Sequence, residues 1–391
     1  MKKKTVILRA PLLSVSGYGV HSRQIFKWLR KQKDIDLCTS IVPWGMTSWL
    51  INPDHENGLV NDIMASSQNP QVKPDLSIQV QLPNEWDHSL AEKNIGISAV
   101  VETDICNPAW INDCNRMDHV VVPTNHTRDT VLRTGTPTTK ISVIPESFIE
   151  EIGDGNAKPL DLSLSTKFNL LIVGQLTGNN PDNDRKNLFK TLKWLCEAFA
   201  KDPDVGIILK TNSGRGTSID RRITQKMVDA LVNEVRSGPY PKVSLLHGNL
   251  TSAEMASLYK VESIKGFVSL TRGEGFGLPL LEAAASDLPV IATNWSGHLD
   301  FLGKGRFIPI SYSLENIHSS RVDNNIFVNG SKWAEVNEND FKKKIKKFRE
   351  NPETPQQWAK ELGETVRKEF SQEAIEKIYT ETLGEYLKCS K

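Results

Sequence analysis

Residues 267–300, with the sequence FVSLTRGEGFGLPLLEAAASDLPVIATNWSGHLD, restrict the fold of this chain more than any other stretch. The apolar run at its start predicts a short β-strand, which glycines then interrupt at three alternate positions. Pro279 is typical of the first turn of a helix, and residues 289–293 form a second apolar run of strand type. The stretch therefore predicts a strand, a glycine turn, a helix and a second strand, which is the repeating unit of an α/β fold.

The glycine turn and the helix start together predict a binding site for phosphate. The first amide groups of a helix lack partners within the helix, and the helix dipole places partial positive charge there. Two carboxylates flank this position, Glu274 in the turn and Glu282 eight positions later. A carboxylate can accept two hydrogen bonds from a vicinal diol, so the pattern indicates a site for a nucleotide sugar. The alternative is a surface helix with two solvated glutamates beside a glycine-rich loop.

The spacing of Glu274 and Glu282 within RGEGFGLPLLEA resembles the E-x7-E signature of retaining glycosyltransferases of family 4, the group 1 type. The resemblance implies the GT-B fold, in which two Rossmann-like α/β domains face each other across a cleft. It also implies that Glu282 holds the ribose of the nucleotide and that Glu274 lies beside the donor sugar and the diphosphate. The backbone that would meet the diphosphate and the sugar is that of Gly275, Phe276, Gly277 and Leu278.

A second group of candidate residues follows the predicted strand at residues 168–173. Arg185 and Lys186 stand just before the next predicted helix, where two cations could neutralise a diphosphate leaving group. Charge-assisted contacts of this kind contribute roughly 1.5–3 kcal/mol each. We predict that both act with Glu274 in catalysis, and a solvated cation pair is the alternative. Lys186 matches a lysine of the family, but Gln175 stands where the family usually has arginine.

Two acidic residues in the same loop raise the question of a metal. Asp182 and Asp184 form a DxD sequence, which binds a metal ion in other glycosyltransferases. GT-B enzymes generally need no metal, so we interpret the sequence as loop. The prediction is therefore a metal-independent enzyme without a cofactor, for which the nucleoside-diphosphate sugar is a co-substrate.

The first part of the chain offers a glycine-rich loop after its first predicted strand. Gly17 and Gly19 lie in this loop, before a helix predicted over residues 21–31. Ligands of doubly wound sheets bind at the carboxyl ends of the strands. GT-B enzymes often have a glycine-rich loop here, so we assign Gly17 and Gly19 to donor binding, with a plain β–α turn as the alternative.

Three further residues are candidates for contact with the acceptor. Glu102 and Asp104 follow a strand predicted over residues 94–101, although Asp104 could equally cap a helix. His126 lies near the start of a helix predicted over residues 127–134, where a capping or surface role is the alternative.

The chain is predicted to contain two Rossmann-like domains, for which 391 residues are sufficient. The linker is placed where bulky apolar residues are few and turn formers are frequent. No element is predicted between residues 39 and 74. The predicted parts are an acceptor domain at 1–150, a linker at 151–166, a nucleotide-sugar domain at 167–370 and a C-terminal helix at 371–391 that packs back on the first domain.

Composition limits the cellular setting and the partners. The net charge of +1 does not favour nucleic acid as a partner, although that possibility stays open. Residues 342–347, KKKIKK, could touch anionic lipid weakly, but a solvated helix face is preferred. Arg9 and Pro11 interrupt the apolar run at the N-terminus, which argues against a signal peptide. Five scattered cysteines, an odd number, indicate reduced thiols and a cytoplasmic protein.

The sequence therefore predicts a retaining hexosyl- or pentosyltransferase that uses a nucleoside-diphosphate sugar. The stretch TNWSGHLDFL resembles enzymes that build polysaccharides, which favours a glycan acceptor. Transfer to a lipid or to a modified nucleic-acid base stays open, as does a GT-B subunit that binds nucleotide sugar without transferring it. The residues do not specify the base, the sugar or the oligomeric state.

Overall fold

The structure is a computed structural model that describes residues 3–68, 70–155, 157–178 and 180–388. The chain divides into two compact units. The first comprises Met1–Ser147 and Phe370–Lys391, and the second comprises Phe148–Glu369. Within the described residues, each unit contains a six-stranded parallel sheet with helices, which confirms the predicted α/β class.

The sheet of the first unit has the strand order β2-β1-β3-β4-β5-β6, and all its pairs are parallel. Its strands are β1 Lys4–Ala10, β2 Ile35–Ile41, β3 Leu76–Val80, β4 Lys93–Ile97, β5 His119–Val122 and β6 Ile141–Val143. Its helices are α1 Gly17–Arg30, α2 Leu59–Ala65, α3 Ala109–Asn115, α4 Asn125–Thr134 and the C-terminal helix Gln372–Leu387, with a 3-10 turn at Pro83–Glu85.

The C-terminal helix is part of this first unit, and the last three residues, including Cys389, lie outside the described residues. Its apolar stripe is buried, with Tyr379 and Leu383 almost fully inaccessible to solvent. Three hydrogen-bond contacts join it to α1: the Tyr379 hydroxyl lies 2.9 Å from His21 Nε2, Trp28 Nε1 donates to Thr380 Oγ1 at 3.0 Å, and Gln372 Nε2 donates to Gln24 O at 3.0 Å. Burial of the stripe therefore combines with specific hydrogen bonds to hold the helix.

Two predicted boundaries in this unit are wrong by four residues each. Helix α1 begins at Gly17, four residues earlier than predicted, because the side chain of Ser16 caps it by accepting from Gly19 N. Strand β4 ends at Ile97 rather than at residue 101. The Tyr18 hydroxyl takes the amide of Ala99 at 3.0 Å in place of a neighbouring strand, and Val100 has a positive φ of 54°, which is uncommon for a β-branched residue.

The sheet of the second unit has the strand order β12-β11-β10-β7-β8-β9, also with parallel pairs. Its strands are β7 Phe168–Val173, β8 Val205–Thr211, β9 Lys242–His247, β10 Ile264–Ser269, β11 Val290–Thr293 and β12 Ile308–Ile310. An antiparallel hairpin follows, formed by β13 Tyr312–Asn316 and β14 Lys332–Val336 with a 3-10 turn at Ser319–Arg321 between them. The helices are α5 Glu150–Gly153, α6 Leu188–Ala198, α7 Ser218–Val235, α8 Ser252–Tyr259, α9 Leu278–Ala285, α10 Leu299–Leu302, α11 Glu338–Glu350 and α12 Glu353–Glu369.

The predicted linker contains packed structure within the second unit. Its first residues belong to α5, which packs against α8 and α9 and buries Ile152. Further along, Leu160 N donates to Ser257 O at 3.0 Å. Few apolar residues are needed to hold such a short helix, which explains why the pattern resembles a linker.

The predicted strand–turn–helix–strand at residues 267–293 is present as β10, α9 and β11. Helix α9 is buried on all sides from Leu280 to Ala285, and its small alanines allow close packing. Glu282 is therefore a buried carboxyl group, not the solvated one of the alternative interpretation.

Cys38, Cys106, Cys114 and Cys196 are free thiols. None of the described helices combines the length and the hydrophobicity that a membrane span requires.

Candidate active site

The second unit brings three of the predicted site residues into one ion cluster. Lys186 Nζ lies 2.6 Å from Glu274 Oε1 and 2.9 Å from Glu274 Oε2. Arg185 Nη1 donates to the carbonyl of Gly273 at 2.7 Å and lies 3.5 Å from Glu274 Oε2. All three side chains are largely buried. The two cations thus hold the carboxylate of the glycine turn.

The protonation state of Glu274 follows from this cluster. Burial by itself raises the pKa of a carboxyl group, but the positive charges of Lys186 and Arg185 outweigh it and lower the pKa of Glu274 to about 2. Glu274 is therefore ionised throughout the neutral range. The three side chains together carry two positive charges and one negative charge, which leaves a net attraction for an anion.

Asp184 holds the loop that carries Arg185 and Lys186 in place. Its buried carboxylate accepts from Thr177 Oγ1 at 2.8 Å and from Leu188 N, in the first turn of α6, at 2.6 Å. This carboxylate therefore organises the loop, in agreement with the interpretation of the DxD sequence as loop. No group of three or more His, Cys, Asp or Glu side chains suited to a metal is found among the described residues.

The glycine turn is fixed from the side of β11. Glu274 N donates to Ser296 Oγ at 2.9 Å, and Gly297 N donates to Glu274 O at 2.9 Å. A Cβ atom at Gly297 would lie 2.2 Å from the carbonyl oxygen of Gly275, so glycine is required for this close approach. His298 Nε2 lies 2.7 Å from Thr293 O, so this nitrogen carries the hydrogen, and burial lowers the pKa of His298.

The start of α9 presents amide groups beside the ion cluster. Gly277 precedes the helix with φ of 102°, a left-handed conformation that favours glycine. Leu280 N donates to Gly277 O at 2.9 Å, and Pro279 has no amide hydrogen. In the described part of the chain, the amides of Phe276, Gly277 and Leu278 have no acceptor. Amide groups of this kind at a helix start are the groups that bind anions in other proteins.

Glu282 has a different environment from Glu274. It is 7% exposed, and Tyr259 donates its hydroxyl hydrogen to Glu282 Oε2 at 3.0 Å. Burial raises the pKa of Glu282 to about 7, the hydrogen bond from Tyr259 opposes the rise, and the negative charge of Glu151 adds to it. The second carboxyl group of the signature thus titrates near neutral pH.

The candidates in the first unit form a separate group. Tyr18, between Gly17 and Gly19, lies 3.1 Å from Ser98 Oγ and stacks on Trp44 with ring centroids 3.9 Å apart. The glycine loop is therefore joined to the segment that follows β4, which leads to Glu102.

Glu102, Asp104 and His126 are all partly exposed. Arg133 Nε donates to the backbone carbonyl of Asp104 at 2.9 Å. The alternative role of Asp104 as a helix cap is wrong, because the next helix begins only at Ala109. His126 lies in the first turn of α4, and Thr124 is the residue that caps this helix.

Sequence reasoning missed several residues that shape the site. Tyr259 supports Glu282, Ser296 supports Glu274, and Arg272 anchors the loop that carries the cations. Arg272 lies beside the signature in the sequence, but its hydrogen-bond partners lie up to 91 residues away along the chain. Only the sheet order shows that these segments meet.

Residues 225–362, less than half of the chain, match the family model for group 1 glycosyl transferases. The matched part includes Glu274 and Glu282 but neither Arg185 nor Lys186. A search of curated proteins finds no match.

Solved structures resemble the chain along its whole length. A glycosyltransferase from Rickettsia africae matches with a TM-score of 0.67 and 17% identity, over 100% of each chain. Sucrose-phosphate synthase from Thermosynechococcus elongatus matches with a TM-score of 0.65 and 14% identity, over 98% of this chain and 99% of that one. HepE from Anabaena, in complex with UDP and glucose, matches with a TM-score of 0.61 and 13% identity, over 97% and 99%. The chain therefore has the GT-B glycosyltransferase fold, and its residues 225–362 carry the sequence pattern of group 1 glycosyl transferases.

Proposed function

We propose that this protein is a retaining glycosyltransferase that moves a sugar from a nucleoside-diphosphate sugar to a hydroxyl group of a glycan. The observation that carries the proposal is the ion cluster of Glu274, Lys186 and Arg185 beside the amino-terminal end of α9. This arrangement supplies an ionised carboxylate for sugar hydroxyls and positive charge for a diphosphate at one place.

Each residue has a distinct part in donor binding. Glu282 accepts hydrogen bonds from the ribose, with Tyr259 holding one of its two oxygens. The backbone of residues 275–278 meets the diphosphate, and Glu274 orients the donor sugar. Gly17 and Gly19 of the first unit approach the donor, and Glu102, Asp104 and His126 are proposed to contact the acceptor.

Lys186 must be shared between two anions when the donor binds. In the structure its ammonium group is 2.6 Å from Glu274 Oε1. A lysine has three donors, so Lys186 can keep Glu274 and also bind a diphosphate oxygen. As the sugar–oxygen bond breaks, negative charge grows on the diphosphate, and the contact with Lys186 strengthens.

The proposed reaction proceeds on the face that the diphosphate leaves. The acceptor oxygen attacks the anomeric carbon from that face, and its proton passes to the departing diphosphate oxygen. The protein contributes positioning and preformed positive charge. No metal is assigned to this step, because Lys186, Arg185 and the start of α9 supply the charge.

A second candidate function is nucleotide-sugar binding without transfer. Gln175, at the exposed position after β7, lacks the positive charge of the arginine that the family usually has there. Arg185 compensates for that loss under the main proposal, and does not under the second.

The test is an assay with a panel of nucleotide sugars that starts with UDP sugars, because structural neighbours are complexes with UDP and glucose or with UDP-2-fluoro glucose. Released nucleoside diphosphate is measured with and without oligosaccharide acceptors. Release that depends on an acceptor supports transfer. Tight donor binding without release supports the second candidate, and absence of binding to every donor contradicts both.

A further inference from the structure

Arg272, two residues before Glu274, is a buried cation for which the proposed reaction has no role. It is 1% exposed and is among the largest fully buried side chains of the described structure. A buried guanidinium group is stable only when its N–H groups find acceptors. The side chain of Arg272 donates to two separate segments of the second unit and so joins both of them to its own segment.

The first segment is the loop that carries the cations. Arg272 Nη1 donates to the backbone carbonyls of Pro181 at 2.7 Å, Asp182 at 3.3 Å and Asp184 at 2.9 Å. These carbonyls directly precede Arg185 and Lys186. The backbone repeats the connection, since Arg272 N donates to Arg185 O at 2.9 Å.

The second segment is the hairpin of β13 and β14. Nε and Nη2 of Arg272 donate to Glu335 Oε2 at 3.1 and 2.9 Å. The guanidinium carbon also lies 5.1 Å from the centre of the Trp333 ring, and Ala334 N donates to Arg272 O at 2.9 Å. Glu335 in turn accepts from Lys190 of α6 at 2.5 Å. The hairpin therefore holds the far side of the guanidinium group.

We propose that Arg272 is a positioning residue that sets the 181–186 loop at the distance where Lys186 and Arg185 face the diphosphate, with Glu335 fixing Arg272 in turn. This inference rests on the proposed donor site. It assigns the hairpin a role, as the support that orients the guanidinium group. Arginine is needed because its planar fork reaches loop carbonyls and a carboxylate at once, which a lysine ammonium group cannot do.

A purely structural role predicts a different result from a positioning role. If Arg272 has a purely structural role, its substitution lowers the stability of the protein and weakens the binding of all ligands alike. A positioning residue affects the contact with the β-phosphate most, because the cations of the loop face the diphosphate. The ratio of the UDP affinity to the UMP affinity isolates that contact.

The experiment measures UMP and UDP binding by calorimetry for the wild type, Arg272→Lys, Glu335→Gln and the control Arg349→Lys. The control residue also combines an aromatic ring with a carboxylate, since Arg349 lies 4.9 Å from the Phe168 ring centre and 3.0 Å from Asp202. The wild type is expected to prefer UDP over UMP. Arg272→Lys is expected to reduce this preference at least tenfold while its UMP affinity stays within about twofold, and Glu335→Gln is expected to reduce it about threefold. Arg349→Lys is expected to keep it.

Three outcomes overturn the inference in distinguishable ways. If folded Arg272→Lys protein keeps the wild-type preference for UDP, the positioning role is wrong and the donor site stands. If the affinities for UMP and UDP fall by the same factor, Arg272 has a purely structural role. If the wild type shows no preference for UDP, the proposed donor site itself is wrong, and this inference falls with it. Should Arg272→Lys not fold, Glu335→Gln decides by the same ratio.

Discussion

At the scale of single residues, the two glutamates of the signature have opposite electrostatic environments although both are buried. The cations Lys186 and Arg185 keep Glu274 ionised with a pKa of about 2 despite its burial. Burial raises the pKa of Glu282 to about 7, and its neighbour there is the neutral Tyr259. The site therefore contains one permanent negative charge and one that forms near neutral pH.

Glu282→Gln should change how stability depends on pH. The unfolded carboxyl group titrates near 4.5 and the folded one near 7, so the folded protein binds more protons between these values. Stability from this group is thus full below pH 4.5 and falls as the pH rises towards 7 and just above, by roughly 3 kcal/mol. Gln removes the ionisation and can still accept from Tyr259.

The measurement is urea unfolding of ligand-free wild type and Glu282→Gln at several pH values. The variant should gain stability relative to the wild type as the pH rises from 4.5 to 8. A difference that does not change with pH would contradict the assigned ionisation.

Glu274→Gln should reduce turnover at least tenfold, about 1.4 kcal/mol of barrier. The substitution keeps the shape and removes the charge that orients the sugar and holds Lys186. UDP affinity should not fall, because Lys186 becomes more available to the diphosphate. Steady-state kinetics and calorimetry on the same variant test this. Unchanged turnover at saturating donor with a collapse in UDP affinity would make Glu274 a ground-state binder instead.

At the scale of elements, helices and strands with a regular apolar pattern were predicted well from the sequence, and mostly polar ones were not. Strand β7 has the predicted bounds, and a C-terminal helix is present at Gln372–Leu387 within the predicted 371–391, since both bury a continuous or periodic apolar face. Strand β13 is mostly exposed along YSLEN, so no pattern marked it. Strand β4 was predicted too long, because Val100 and Val101 are buried outside the sheet. In this segment the Tyr18 hydroxyl replaces a strand as the acceptor for Ala99 N.

The sequence identified the residues of the candidate site better than it identified the contacts between them. The glycine turn, the helix start and both glutamates follow from local sequence. The pairing of Lys186 with Glu274 joins residues 88 apart and depends on β7 lying next to β10. The sequence suggested that both cations face a ligand, whereas in the structure they also neutralise the carboxylate of Glu274.

Gly297→Ala should disrupt the glycine turn. The added Cβ would lie 2.2 Å from the carbonyl oxygen of Gly275, so the backbone of the turn must shift. Adding a methyl group at such a tightly packed position costs about 1–3 kcal/mol, and we expect both stability and UDP affinity to fall. The matched control is Gly384→Ala in the C-terminal helix, where the nearest atom is 3.7 Å away. That change should stabilise by roughly 0.5–1 kcal/mol, as glycine is unfavourable in a helix. Thermal unfolding measures the effect on stability. A Gly297→Ala protein that unfolds at the same temperature as the wild type would contradict this prediction.

At the scale of the whole molecule, each unit contributes a different group of candidate residues. The second unit contains both signature glutamates, both cations and the start of α9. The first unit contains the glycine loop with Tyr18 and the residues proposed for the acceptor. Donor binding should therefore depend mainly on residues of the second unit.

Activity should persist when metal ions are removed. The leaving diphosphate is neutralised by Lys186, Arg185 and a helix start in this account, which replaces the charge a metal would supply. Turnover measured with and without EDTA should agree within about twofold. Complete loss of turnover with EDTA that Mg²⁺ or Mn²⁺ restores would contradict this prediction and make Asp182 and Asp184 candidate metal ligands.

The most direct test of the donor site is the UDP affinity of Glu282→Ala, measured by calorimetry at pH 8, where Glu282 is ionised. The matched control is Glu364→Ala, an exposed glutamate on α12. Loss of the charge-assisted contact with the ribose should weaken UDP binding by roughly 1.5–3 kcal/mol in Glu282→Ala, and the control should bind as the wild type does. Equal dissociation constants for Glu282→Ala and the wild type, with both proteins folded, would contradict the assignment of this site to the nucleotide.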